Sequence, residues 1–88
     1  MFKKKIEKRI DLLIELASEH GLNEKDILAV IEFSKHGEYG VAFLWIIDQL
    51  YEYDIEISSK TWELVDTIGS ELKINKQRYS FLRELLDE

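Results

Sequence analysis

Seven consecutive residues, Val41-Ala42-Phe43-Leu44-Trp45-Ile46-Ile47, carry no charge, and the run continues through Asp48, Gln49, Leu50 and Tyr51. Such a stretch is too apolar on too many sides for a surface helix, and a helix that is apolar nearly all round is buried. This feature constrains the chain more than any other. It predicts a central helix over about 39–53, with the amphipathic segments before and after it packed against its sides.

At about 100° per residue, Phe43, Leu44, Ile46, Ile47, Leu50 and Tyr51 form a broad apolar arc. The remaining strip is narrow and holds Glu38, Val41, Trp45, Asp48, Gln49 and Glu52. Trp45 stands over Asp48, Gln49 and Glu52 at helical spacing. A tryptophan among carboxylates on the polar side of a buried helix reads as a contact residue. The competing reading is a ring covered by a neighbouring segment, because tryptophan is well buried on average.

The other segments follow the same 3.6-residue logic. Phe2 to His20 offers Ile6, Ile10, Leu13, Ile14 and Ala17 on one face, and His20-Gly21 ends it. Asn23 is placed to cap a second helix running to about Lys35, with Ile27, Leu28, Val30, Ile31 and Phe33 toward the core. His36-Gly37 repeats the stop signal. Ile55-Glu56-Ile57 alternates like a strand but has no evident partner, so it reads as a connector. Ser58 or Ser59 caps a fourth helix with Trp62, Leu64, Val65, Ile68 and Leu72 on one face. Gly69 lies within it at a cost of about 1 kcal/mol relative to alanine, which the close approach of a neighbouring helix would explain. Asn75 starts a last helix from about Lys76 to Asp87, packed through Tyr79, Leu82, Leu85 and Leu86, with Phe81 at its margin.

About five short helices with short loops and no proline imply a compact all-α bundle, a single domain over 1–88. A chain of 88 residues buries roughly 60–65% of its unfolded surface, which suffices for one core. The N-terminus lacks the uncharged apolar core of a signal peptide, and no stretch is long enough to span a bilayer. The expectation is a cytoplasmic protein that does not enter a membrane and is monomeric when free.

Composition narrows the chemistry. Cysteine is absent, which removes disulfides, thiolate metal sites and a cysteine nucleophile. His20 and His36 lie at separate helix ends without ligand spacing, and the glycines form no phosphate-cradling loop. Neither a metal nor another cofactor is expected. No nucleophile-elbow glycines frame Ser34, Ser58, Ser70 or Ser80, so an enzyme is the minor reading. Lys3, Lys4, Lys5, Lys8 and Arg9 are the one basic cluster, diluted by Glu7 and Asp11. A nucleic-acid or membrane-surface role for it is less favoured than a solvated helix start.

The net charge of −6 is uneven, because residues 38–54 hold Glu38, Asp48, Glu52 and Asp54 without any Lys or Arg, a local −4. A one-signed region repels phosphates and attracts a basic partner. Tyr51-Glu52-Tyr53-Asp54-Ile55-Glu56 adds rings to this charge, as at interface hot spots. For Tyr51 a place in the core, and for Tyr53 a place at its edge, are the alternatives.

Glu38-Tyr39-Gly40-Val41-Ala42, then Asp48-Gln49-Leu50-Tyr51-Glu52, then Ile55-Glu56-Ile57-Ser58 leading to Ile68-Gly69, resemble the MafI-type immunity proteins. These are small helical bacterial proteins that neutralise the toxic C-terminal domain of a polymorphic toxin. The likeness spans about 13–86 in helix order and about 38–69 in detail. The chain departs from that pattern at Glu56, where a proline is common, and at Trp45, where the pattern is polar. The resemblance implies an all-α fold, no enzymatic activity and a cognate toxin as partner, often a nuclease such as an EndoU-type ribonuclease. Glu38, Trp45, Asp48, Gln49, Glu52, Tyr53, Asp54 and Glu56 are the expected toxin-binding residues. The alternative is a self-associating helical scaffold or adaptor without a toxin partner.

Overall fold

A computed structural model of the chain describes residues 4–87; Phe2 and Lys3 of the expected first helix and basic cluster lie outside them. Four α-helices follow in order: α1 Lys5–His20, α2 Glu24–Lys35, α3 Tyr39–Glu52 and α4 Ser59–Glu71. Two 3-10 segments, Lys76–Arg78 and Ser80–Leu85, close the chain. The protein is an all-α bundle, as the apolar periodicity requires. Its last helical stretch is wound as 3-10 rather than α, with Tyr79 interrupting it.

Local chemistry sets the helix boundaries. Asn23 and Ser58 accept the amides of Asp26 and Thr61 and so begin α2 and α4. Each α-helix ends with the same pair of backbone bonds. Leu22 N bonds Ala17 O while Gly21 N bonds Ser18 O, and the pattern repeats at Glu38 with Phe33, Ile55 with Leu50 and Ile74 with Gly69. This closure places one residue in the left-handed region. Gly21 and Gly37 take it at no steric cost, whereas Asp54 at φ 52° and Lys73 at φ 58° take it with a side chain in place.

Helix α3 buries Ala42, Phe43, Ile46, Ile47 and Leu50. It packs on α1, α2 and the second 3-10 segment, while α4 joins mainly through α1 and that same segment. The centre of the bundle is therefore shared between α3 and α1, whose Ile10, Leu13 and Ala17 are fully enclosed. Two expected core positions lie elsewhere: Leu28 is 58% exposed and Tyr51 43% exposed. On α2 the buried positions are Asp26, Val30 and Ser34, and Tyr51 instead packs on Phe81 of the C-terminal segment.

Tyr79 is the principal wedge of that segment. Its buried ring meets Phe43 edge-on at 5.6 Å and Trp62 at 6.2 Å, and its hydroxyl donates to Asp66 Oδ1 at 3.4 Å. A Cβ at Gly69 would overlap Tyr79 Cε2 and Cζ. The close neighbour that the glycine predicts is this ring. Ile57 does have a pairing partner, contrary to the expectation of a plain connector. It forms a parallel bridge with Leu86, in which Ile57 N donates to Leu85 O at 2.9 Å and Asp87 N to Ile57 O at 3.0 Å.

Candidate functional site

The exposed strip of α3 runs along Val41, Trp45, Asp48 and Glu52, all open to solvent. Glu38 flanks its N-terminal end and makes no side-chain cap there. At the other end, Tyr53 is 53% exposed and Asp54 is exposed beside it. The last turn of α3 holds no basic residue, so Glu52 and Asp54 add their charge to the negative end of the helix dipole. Among the described residues, Glu38, Asp48, Glu52, Asp54 and Glu56 form no ion pair, whereas Arg9 pairs with Glu71 and Lys76 with Asp66, and His36 Nε2 lies 3.8 Å from Glu32 Oε2. The acidic strip stays uncompensated.

Trp45 combines both of its sequence readings. The ring is 38% exposed and packs on Phe33 at 5.4 Å, while its Nε1 donates to Asp26 Oδ1 at 3.0 Å. Gln49 Nε2 donates to Asp26 Oδ2 at 3.1 Å and Asn23 Nδ2 to the same oxygen at 2.8 Å. Burial of the Asp26 carboxyl favours its neutral form. The donors from Gln49, Trp45 and Asn23, with the charge of Lys25, outweigh that and hold it below the ordinary aspartate range. The polar atoms of Trp45 and Gln49 thus tie α3 to α2, while Trp45 stays partly open to solvent. Asp26 was hidden in the sequence among surface acids. Its signal is the Asn23-x-x-Asp26 spacing, in which the capping side chain bonds back to the third helical residue.

Asp48 and Glu52 open onto a groove of about 390 Å³ that they line together with Tyr51 and Phe81. Tyr51 and Phe81 meet edge to face at 4.6 Å, and the Tyr51 hydroxyl donates to Glu84 Oε1 at 3.1 Å. That bond, the charge of Glu84, partial desolvation and the more distant charge of Asp54 all hold the phenol above its ordinary range. Periodicity alone put Tyr51 inside and gave no sign of Glu84, because the groove depends on the C-terminal segment returning to α3.

Glu56 belongs to a different surface. It lines a polar groove of about 440 Å³ with Glu19, His20, Ile57, Ser58, Ser59 and Asp87. There His20 Nε2 lies 2.8 Å from Thr61 Oγ1, which in turn lies 3.1 Å from Ser58 Oγ. A third groove, between α1 and α2, is lined in part by Glu7, Asp11, Ile31 and Lys35. Among the described residues, no three His, Asp or Glu side chains gather as metal ligands, and no helix is long and apolar enough to cross a membrane. Of the eight expected contact residues, the fold gathers Trp45, Asp48, Gln49 and Glu52 along α3. Tyr53 and Asp54 follow at its C-terminal end, Glu38 stands at its N-terminal end, and Glu56 lies in a different groove.

The fold and this site define a small all-α protein with a one-signed, ring-bearing face. No family model matches the chain, and neither a curated protein nor a solved structure matches it.

Proposed function

We propose that this chain is an immunity protein of the MafI type, which binds and neutralises a cognate toxin domain through the acidic, aromatic face of α3. The reading rests on the residue pattern from Glu38 to Gly69 together with one physical observation. Asp48 on the exposed strip of α3, and Glu52 and Asp54 at its negative end, stand exposed without an ion pair among the described residues. Charges left uncompensated there work against the helix and favour an incoming basic surface. A nuclease that attracts phosphates presents such a surface, and carboxylates can stand in for the phosphates.

Val41 and Trp45, 44% and 38% exposed, also suit self-association. A symmetric dimer on this face would bring acid against acid, which disfavours it. The test is association with the toxin encoded beside this gene, measured over a range of salt concentrations. Reversing Asp48, Glu52 and Asp54 to lysine should weaken binding by about 100-fold or more and flatten its salt dependence. Unchanged affinity and slope would remove the proposal, and a stable homodimer burying Trp45 in light scattering would favour the scaffold reading.

A further inference from the structure

The groove between α3 and the C-terminal segment has a more specific chemistry than a diffuse acidic face. Tyr51 and Phe81 form its aromatic wall, set at 67° to one another, and the bond to Glu84 fixes the Tyr51 ring. Asp48 and Glu52 lie one helical turn apart, so their carboxylates rise from the same side. Both are solvent-exposed and without an ion pair among the described residues. Arg83, the basic residue of the neighbouring 3-10 segment, is turned elsewhere, with its guanidinium 5.9 Å from the centre of the Trp62 ring.

We infer that this groove receives one arginine side chain of a basic protein partner, its guanidinium lying on the Tyr51–Phe81 wall and hydrogen-bonded to Asp48 and Glu52. The inference rests on the reading of the chain as the binder of a basic domain and names the anchor that such a domain must supply. Arginine suits the groove better than lysine for two reasons. Its flat cation stacks on aromatic rings, and its fork of donors satisfies two carboxylate oxygens at once. Phosphate-bearing partners are repelled by the same carboxylates. A second copy of the chain would present its own acidic face.

The experiment is an NMR titration of the full chain with the peptide acetyl-Gly-Arg-Gly-amide, following the Tyr51 and Phe81 ring protons. The same peptide with lysine or citrulline in place of arginine provides the comparison. Saturable shifts at both rings with arginine, weaker shifts with lysine and none with citrulline are expected. Asp48→Asn and Glu52→Gln, which leave the packing intact, should each weaken the arginine peptide by about fivefold or more, whereas Glu32→Gln on α2 should not. Equal shifts with citrulline, or binding indifferent to Asp48→Asn and Glu52→Gln, would overturn the inference. Failure of the wider reading is separable. A toxin whose binding depends on Asp48 and Glu52 but tolerates loss of each of its surface arginines rejects the arginine anchor alone. Peptide binding without any association with the neighbouring toxin rejects the toxin reading and leaves the arginine site standing.

Discussion

Two aspartates show how a single side chain can serve opposite ends in this molecule. Asp26 is 6% exposed and satisfied by three donors, so its charge works for the fold. Its folded pKa lies below the ordinary value. Its contribution is therefore complete above about pH 4, the unfolded aspartate range, and is lost as pH falls through the depressed folded value. Asp26→Asn should lower stability at pH 7 by about 1–3 kcal/mol, read as a shift in the urea midpoint. The difference from the parent should shrink as pH falls through that depressed value and the parent carboxyl itself becomes neutral. Asp54 is the converse case. It holds a left-handed backbone at φ 52° and a negative charge at the negative end of α3. Asp54→Gly should raise stability by about 1 kcal/mol while weakening the partner. Lys73→Gly, at φ 58° just past the end of α4, should also stabilise in thermal unfolding but leave the partner's affinity as it was.

At the level of the elements, the four helix ends explain what the chain made readable. His20-Gly21 and His36-Gly37 announced their closures because glycine is the residue that left-handed backbone favours. Asp54 and Lys73 close α3 and α4 by the same bonds without that signature, and for α3 the sequence indicates only an end at about residue 53. The amphipathic faces of α1 and α4 were legible from their spacing. Leu28 and Tyr51 were not, since periodicity cannot tell which apolar residue a distant segment will leave uncovered. The break in the tail was not legible either: Tyr79, packed against Gly69, separates its two 3-10 segments. Gly69→Ala should therefore destabilise by about 1–3 kcal/mol through overpacking despite a propensity gain of about 1 kcal/mol. Gly40→Ala, whose added carbon meets nothing within 4 Å, should not destabilise. Chemical denaturation of the two variants separates packing from propensity.

Across the whole molecule, the acidic bias and the α3 strip were readable because both are local in sequence. The groove was not, because its walls come from Asp48, Tyr51 and Glu52 on one side and Phe81 on the other, separated by all of α4. The radius of gyration, 11.9 Å, matches the value of about 12 Å expected for a compact chain of this length. The same geometry explains why Glu56 falls on a second surface, beyond the turn that Asp54 makes.

The parallel bridge between Ile57 and Leu86 is small, but it fastens the tail to the turn between α3 and α4. Phe81 and Glu84 hang from that fastening like one jaw of a clamp whose other jaw is α3. A guest held between the jaws would resist the peeling of the tail, and a tail that has come loose would leave the guest with α3 alone.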